Sequence, residues 1–584
     1  VSGKPRPIQR RAAAAAADLP ESLHPVLRRV LAGRRVASAA ELDYGLANLL
    51  PGDSLGGTRE AAGLLADLIA RDGKLVIVSD YDVDGATSTA LAIRALRAMG
   101  MKNVEFLVPD RFIHGYGLSP DVAEMTLALE PDVVMTVDNG ISSMEGVALL
   151  RGRGIDVLIT DHHLPGAELP DASVIVNPNA PGDAFPSKNL AGVGVVFYML
   201  AALRAELRER GWFDQQDIAA PNLAAFLDLV ALGTVADVVP LDYNNRILTA
   251  YGLSLIRSGR CAAGITALFQ VARRSQAGLV AADLGFAIAP RLNAAGRLTD
   301  MRLGIECLIC DDPDRALTMA GKLDELNRER REIQDAMHEQ ALADIERLNL
   351  SGRDNLPLGV CLFKDDWHQG VVGIVASRIK DRLQRPVIAF APDEEDGLIK
   401  GSARSVQGLH IKDVLDRIAT ENPGLIRKYG GHAMAAGLTL ERSHYETFSR
   451  LYDEEVKRHV EASGLADHLL TDGELEAADF SLQTAQILQK AGPWGQGFPE
   501  PLFDGEFTVL DTRVVGQKHL KLDLALDDGR KVNAIAFNQA DTPGVADGRA
   551  VHAVYRLDVN EFRGTRSLQL VIEELIARDR ETGS

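Results

Sequence analysis

The stretch LVIVSDYDVDG, residues Leu75 to Gly85, places Asp80, Asp82 and Asp84 at alternate positions directly behind a continuous apolar run. A run this uniformly β-branched and apolar predicts a strand buried on both faces of a parallel sheet. Three carboxylates packed so closely repel one another, and they are tolerated at a strand end when a cation neutralises them. A calcium loop of the helix-loop-helix kind requires a helix in front of it and a glutamate behind it. A strand precedes this one, so that alternative falls. A solvated acidic turn stays open until the rest of the chain is read.

The same grammar recurs outward from this point. VEFLVPD (Val104–Asp110), VVMTVDNG (Val133–Gly140) and VLITDHH (Val157–His163) are further apolar runs closing on polar residues. They are separated by helical stretches such as TSTALAIRALRAMG (Thr87–Gly100). Strands alternating with helices build an α/β parallel sheet, whose ligands bind beyond the carboxyl ends of the strands. Asp138 and the triplet Asp161, His162 and His163 therefore fall on the same predicted edge as Asp80, Asp82 and Asp84. Mixed carboxylate and imidazole donors suit manganese, and less selectively magnesium. A pair of such ions can generate hydroxide from water and stabilise charge on a phosphoryl group.

Beyond this sheet the chain divides by pattern. Residues 1–49 are expected to be a lead-in, with the N-terminal VSGKPRPIQRRAAAAAADLP disordered or fraying. Residues 50–317 form the sheet-bearing domain, whose second half is helical through GVGVVFYMLAALRAEL (Gly192–Leu207) and AAFLDLVALGTVADVVPL (Ala224–Leu241). Residues 318–350 form a charged connecting helix with Leu323, Leu326, Ile333, Met337, Leu342 and Ile345 on one broken apolar stripe. Residues 351–460 return to a smaller α/β pattern. Residues 465–578 carry five short alternating strands with Gly and Asp turns, predicting a β-barrel of the OB type.

Composition excludes several classes. A chain of 584 residues that is 46% hydrophobic and 25% charged supports several ordinary cores. Its net charge of −19 argues against coating nucleic acid through bulk positive charge, although a narrow basic groove can coexist with an acidic exterior. Four cysteines make no disulfide framework, and the setting is expected to be reducing and cytoplasmic. Cys307 and Cys310 form a CxxC within an apolar helical stretch with no partner pair, which reads as buried thiol. No apolar run approaches the ~20 residues of a membrane-spanning helix.

DYDVDG, VDNG and the DHH triplet together resemble the motifs of the DHH phosphoesterases. The resemblance implies a centre of two divalent metal ions, manganese preferred and magnesium possible. Carried over by motif, it makes Asp82, Asp84, Asp138 and His162 metal ligands, with Asp237 of GTVADVVPL the last acidic one. His163 would meet substrate phosphate, and Asp161 would orient its neighbour. Many small-substrate members carry a His four positions before the first ligand Asp. That position here is Val78, and Asp80 stands as its replacement among the ligands.

Further motifs are similar to those of the RecJ-type exonucleases within that superfamily. PDRFIHGYGLS supplies Arg111, His114 and Tyr116, and APRLNAAGRL supplies Arg291, Asn293 and Arg297. GSARS supplies Ser402 and Arg404, and GGHAMAAG supplies His432; both lie in what resembles the DHH-associated domain. WGQGFPEP, ahead of the barrel, resembles the same branch. Forked guanidinium donors suit phosphate oxygens, so Arg111, Ser402 and Arg404 are candidates to receive a terminal 5′ phosphate. Lys518, His519, Lys521, Phe562, Arg563 and Arg566 are candidates for nucleic-acid contact on the barrel, or else members of solvated loops.

The resemblance implies a single-stranded-DNA exonuclease that digests from 5′ to 3′, releases mononucleotides and acts in DNA repair and recombination. It implies a helicase and a single-strand binding protein as partners; the chain itself is expected to be a monomer. A phosphodiesterase for short oligonucleotides or cyclic dinucleotides shares the same centre and is the rival enzyme. An inactive DNA-binding scaffold is the non-enzymatic alternative; such a relative loses metal ligands, and here the motifs are intact.

Overall fold

The computed structural model describes residues 6–12, 18–111, 113–350, 357–463, 468–540, 542, 544–562 and 564–577. Two compact units emerge, one of residues 13–327 with 481–501, the other of residues 1–12, 328–480 and 502–584. The first strand, β1 (Ile8–Arg10), belongs to the latter unit.

The unit carrying the acidic motifs is built on a wholly parallel sheet. Its strands are β2 (Leu75–Ser79), β3 (Val104–Leu107), β4 (Val133–Val137), β5 (Asp156–Thr160) and β6 (Val174–Val176), in the order β3-β2-β4-β5-β6. Every residue of β2 and of β4 is buried. Alternate residues enter separate cores, as the pleat requires. Leu75, Ile77, Val133, Met135 and Val137 pack with helices Thr58–Ala70, Val83–Ala98 and Gly192–Glu209. Val78 and Val134 pack with helices Pro120–Leu127 and Met144–Gly152.

The strand order reverses at β2, with β3 on one side and β4 on the other. That reversal opens a crevice at the carboxyl ends of β2 and β4, the general ligand position of doubly wound sheets. The helical second half covers one side through Leu227–Ala236, which is buried along most of its length and packs on Val83–Ala98.

One helix spans Pro313–Leu350, and the division between the units falls within it. Its packed face holds Leu323, Met337 and Ile345, while Ile333 and Leu342 are half-buried. The break in the stripe has a physical content, because Asp324, Asn327, Arg330 and Gln334 are buried on the same helix. Cys307 is buried on helix Arg302–Ile309, and all four cysteines are free.

The other unit contains a sheet of β7 (Val360–Phe363), β8 (Val387–Pro392), β9 (Leu398–Arg404), β10 (Lys428–Gly431) and β11 (Ala435–Glu441), in the order β10-β11-β9-β8-β7. After β12 (Leu469–Thr471) comes a closed barrel of β13 (Phe503–Val515), β14 (His519–Ala525), β15 (Lys531–Ala536), β16 (Ala550–Phe562) and β17 (Thr565–Ala577). Only β15 and β17 pair in parallel, and β13 closes the barrel on β16. This is the OB arrangement expected from the five alternating runs.

Two placements are not visible in the sequence. The start of the chain is ordered where described: β1 pairs in parallel with β12, Arg6 bonds Glu574, and Arg10 bonds Asp504. A three-residue strand has no local signature, and its partner lies over 450 residues away. Residues Ser481–Pro501, which the sequence placed with the barrel, pack instead within the sheet-bearing unit. Among the described residues no helix is long and apolar enough to cross a membrane.

Candidate metal centre

Each acidic motif reaches the crevice for a local reason. Asp80 follows β2 directly, and its Oδ1 accepts from the N–H of Tyr81 at 2.8 Å. Asp82 caps helix Val83–Ala98, its Oδ1 accepting from the N–H groups of Asp84 and Gly85 at 2.9 and 3.2 Å. Asp84, on the first turn of that helix, receives Gly192 N–H on Oδ2 at 2.6 Å and Val193 N–H on Oδ1 at 2.9 Å. The start of helix Gly192–Glu209 thus grips one carboxylate of the cluster.

Asp138 follows β4 in a left-handed conformation, φ 61°, which turns its side chain into the crevice. Gly192 leaves it room, since a Cβ there would sit 2.8 Å from Asp138 Cβ and 3.0 Å from its Oδ1. His162 follows β5, with Nε2 at 3.1 Å from Asp138 Oδ1, 3.5 Å from Asp237 Oδ2 and 3.9 Å from Asp84 Oδ2. Asp237 terminates helix Leu227–Ala236. Donor atoms of Asp80, Asp82 and Asp138, of Asp84, His162 and Asp237, and of Asp138, His162 and His163 form three overlapping sets, each within 4.8 Å.

The electrostatics are those of a cation site. Burial, then mutual repulsion among the carboxylates, pushes Asp80, Asp84 and Asp138 well above the usual carboxylate range. The same two causes push Asp237 to about 7. Asp138 Oδ1 is buried and accepts no hydrogen bond among the described residues. An orphaned acceptor among repelling carboxylates, with an imidazole nitrogen beside it, fits divalent metal.

Asp161 is different. Its Oδ1 takes the N–H groups of His162 and His163 at 2.7 and 3.1 Å and lies 2.7 Å from His163 Nδ1, while Oδ2 takes Ile141 N–H at 3.0 Å. Burial would raise its pKa, but the His163 hydrogen bond outweighs it and the carboxyl stays below its ordinary value. Asp161 shapes the turn that carries both histidines and belongs to none of the three donor sets. Asn179 and Asn177 hold the carbonyls of His162 and His163 at 2.6 and 3.0 Å.

The remaining expected residues divide. Tyr116 hydroxyl donates to Asp138 O at 3.0 Å and lies 3.1 Å from His163 Nδ1, so it belongs to the crevice. Arg111 sits over the Tyr81 ring at 4.6 Å. His114 Nδ1 accepts from Asp110 N–H, closing its own loop. Asn293 and Arg297 are half-buried on helix Ala289–Leu298. Arg291 is buried and paired with Asp324 at 2.9 Å, an interior tie that the sequence did not reveal.

In the other unit Arg404 Nη1 donates to Ser402 Oγ at 3.0 Å. A Cβ on Gly373, at the start of helix Val372–Leu383, would meet both Arg404 Nη2 and Ser402 Oγ at 2.8 Å. His432 lies in the β10–β11 hairpin, close to the Ala435 and Arg404 pair of the ladder. On the barrel Lys518 is exposed in a turn, and Lys521 lies on β14 opposite Arg513. His519 rests edge-on against Phe537, and Arg566 is paired with Glu561. Arg563 and the Phe562 side chain lie outside the described residues.

Sequence reasoning missed the Gly192 and Val193 donors, Tyr81, Gly373 and Phe537. The glycines of AGVGV just before a long apolar helix were the available signal for the first.

Family models match three consecutive parts of the chain: a DHH family N-terminal domain over residues 74–234, a DHHA1 domain over 355–458 and a RecJ OB domain over 471–574. The single-stranded-DNA-specific exonuclease RecJ of Salmonella typhimurium is 51% identical over 572 residues, 98% of this chain and 99% of that protein. The chain belongs to the RecJ family. The RecJ of Escherichia coli is likewise 51% identical, over 97% of this chain and 98% of its own. The crystal structure of Thermus thermophilus RecJ in complex with Mn2+ is similar at a TM-score of 0.78 and 28% identity, over 95% of this chain and 76% of that one. Another RecJ bound to manganese gives 0.58 at 31% identity, over 71% of this chain and 98% of that one.

Proposed function

We propose that this chain is a metal-dependent exonuclease for single-stranded DNA that works from the 5′ end and releases mononucleotides. The observation that carries the reading is the convergence of Asp80, Asp82, Asp84, Asp138, His162 and Asp237 on one crevice, in a chain of the RecJ family. These residues would hold two divalent ions, manganese preferred and magnesium admissible. When bound, such ions lower the pKa of water and stabilise charge developing on phosphoryl oxygens.

The chain's own groups do the positioning. The Gly192 and Val193 N–H groups fix Asp84, and Asp161 fixes the His163 imidazole and the turn that carries His162. His163, raised to about 9 against the opposing effect of burial by its bond to Asp161 and by nearby carboxylates, stands at the crevice and would meet a substrate phosphate oxygen. Tyr116 and Arg111 border the same crevice and would contact the phosphates flanking the scissile one. Arg404 and Ser402, beside the space left by Gly373, receive the terminal 5′ phosphate. The barrel tracks the remaining strand through Lys518, Lys521 and exposed rings. A helicase supplies single strands, a single-strand binding protein assists, and the chain works as a cytoplasmic monomer in repair and recombination.

Manganese-supplemented digestion of 5′-labelled and 3′-labelled single strands tests this. The 5′ label is expected to leave first as a mononucleotide, with duplex and cyclic dinucleotide competing poorly. First release of the 3′ label would overturn the polarity, and preferred hydrolysis of the cyclic dinucleotide would overturn the substrate class.

A further inference from the structure

Asp237 is followed by Val238 at φ 63°, a left-handed conformation that β-branched residues avoid. Such a backbone persists when its surroundings over-determine it. The loop that follows is held in part by the turn Trp494–Phe498, more than 250 residues downstream.

The turn is tight: Gly495 and Phe498 exchange backbone hydrogen bonds at 2.9 and 3.1 Å, and Trp494 stacks on Phe498 with centroids 5.0 Å apart. It touches the loop behind Asp237 directly. Leu241 N–H donates to Gln496 O at 2.7 Å. A Cβ on Gly495 would lie 2.8 Å from Leu241 Cδ1, and one on Gly497 would lie 3.2 Å from Pro240 Cβ. Arg246, buried, ties the two pieces together, with its guanidinium 4.3 Å over the Phe498 ring and Nη1 donating to Leu241 O at 3.1 Å. From the other side Asn245 donates to Pro240 O at 3.0 Å.

We propose that the turn Trp494–Phe498 is a positioning device for Asp237, clamping the loop Val238–Leu241 so that the Asp237 carboxylate stays on the metal centre. The reading rests on Asp237 being a metal ligand. It assigns the WGQGF motif to support of the catalytic centre. Gln496 acts through its backbone carbonyl, so its side chain is free to vary, whereas Gly495, Gly497 and the Phe498 ring are constrained. Because the turn lies in the connection that leads into the barrel, the occupancy of one metal position depends on a segment outside the sheet-bearing domain's own continuous sequence.

The test is a Mn2+ binding isotherm on the full-length chain, with Asp237→Asn, Gly495→Ala and Phe498→Leu compared with Gly63→Ala, a helical position with open space around it. Removing groups that orient a ligand typically weakens metal binding by about 10- to 100-fold. Gly495→Ala and Phe498→Leu are expected to weaken the ion that Asp237→Asn weakens, to leave the other ion and the affinity for single-stranded DNA unchanged, and to recover turnover at saturating Mn2+. An isotherm unchanged in Phe498→Leu, while altered in Asp237→Asn, would overturn the clamp. An isotherm unchanged in Asp237→Asn would instead overturn the ligand assignment on which it rests. Loss of both ions and of DNA affinity together would mean general disruption and would also overturn it.

Discussion

Asp161 Oδ1 lies 2.7 Å from Nδ1 of His163 while the same carboxylate caps the backbone of the turn that presents His162. One buried acid therefore holds the His163 ring directly and the turn that carries His162. Asp161→Asn keeps the size and substitutes a weaker acceptor that also carries donors. It is expected to lower Mn2+ affinity and turnover together by about 10- to 100-fold, with the fold intact. Calorimetric Mn2+ titration beside kcat measures both. A loss of turnover at unchanged Mn2+ affinity would remove His162 from the argument and leave only His163.

Gly192 matters through what it lacks. An added Cβ would press on Asp138 at 2.8 Å and disturb the N–H that holds Asp84. Gly192→Ala is expected to cost about 1–3 kcal/mol of stability as an overpacked site and to reduce Mn2+ affinity more than DNA affinity. Thermal unfolding with and without Mn2+ separates the two effects, because a weakened site gains less from the ion.

Arg291 and Asp324 form a buried pair, so single and double replacements should disagree. Arg291→Met alone leaves a buried carboxylate and is expected to destabilise by about 3–5 kcal/mol, whereas Arg291→Met with Asp324→Leu recovers much of that. Denaturant melts test this, and KM for single-stranded DNA should stay unchanged in the double variant. A raised KM would return Arg291 to the substrate.

Asp504 gives the pH dependence a sign. Burial would raise its pKa, but His552, Arg10 and Thr471 hold the carboxyl far below the ordinary range, with Thr471 Oγ1 at 2.6 Å and Arg10 Nη2 at 2.9 Å. Between the folded value and the unfolded value of about 3.9 the unfolded chain binds more protons, so stability rises with pH there. The contribution is complete above the unfolded value and lost as pH falls through the folded one. Asp504→Asn should therefore melt below the parent at pH 7, with the gap narrowing in acid below about pH 4. A gap independent of pH would assign the loss to packing.

The sheet and its acidic edge were legible because their signals are local. Asp80, Asp82 and Asp84 stand within one turn of chain, and four apolar runs close on polar residues where a parallel sheet puts its ligands. Asp237 carries no such local mark and came through motif resemblance. What stayed hidden was long-range: backbone N–H groups of Gly192 and Val193 serving Asp84, β1 docking on β12, and the turn at Trp494 supporting a loop near Pro240. Backbone donors have no side-chain signature, and a three-residue strand has no period to detect. The Arg291–Asp324 tie was hidden as well, because an arginine in a motif looks alike whether it meets a phosphate or a buried aspartate.

The most direct test of the central claim is hydrolysis by the Asp82→Ala, Asp138→Ala double variant on a 5′-phosphorylated single strand with Mn2+, with DNA binding measured in parallel. Loss of a metal position forfeits several kcal/mol of transition-state stabilisation, about 10³-fold or more in rate. The account predicts that turnover falls at least that far while strand affinity is largely kept. Turnover near the parent's in a folded, metal-saturated double variant would contradict it.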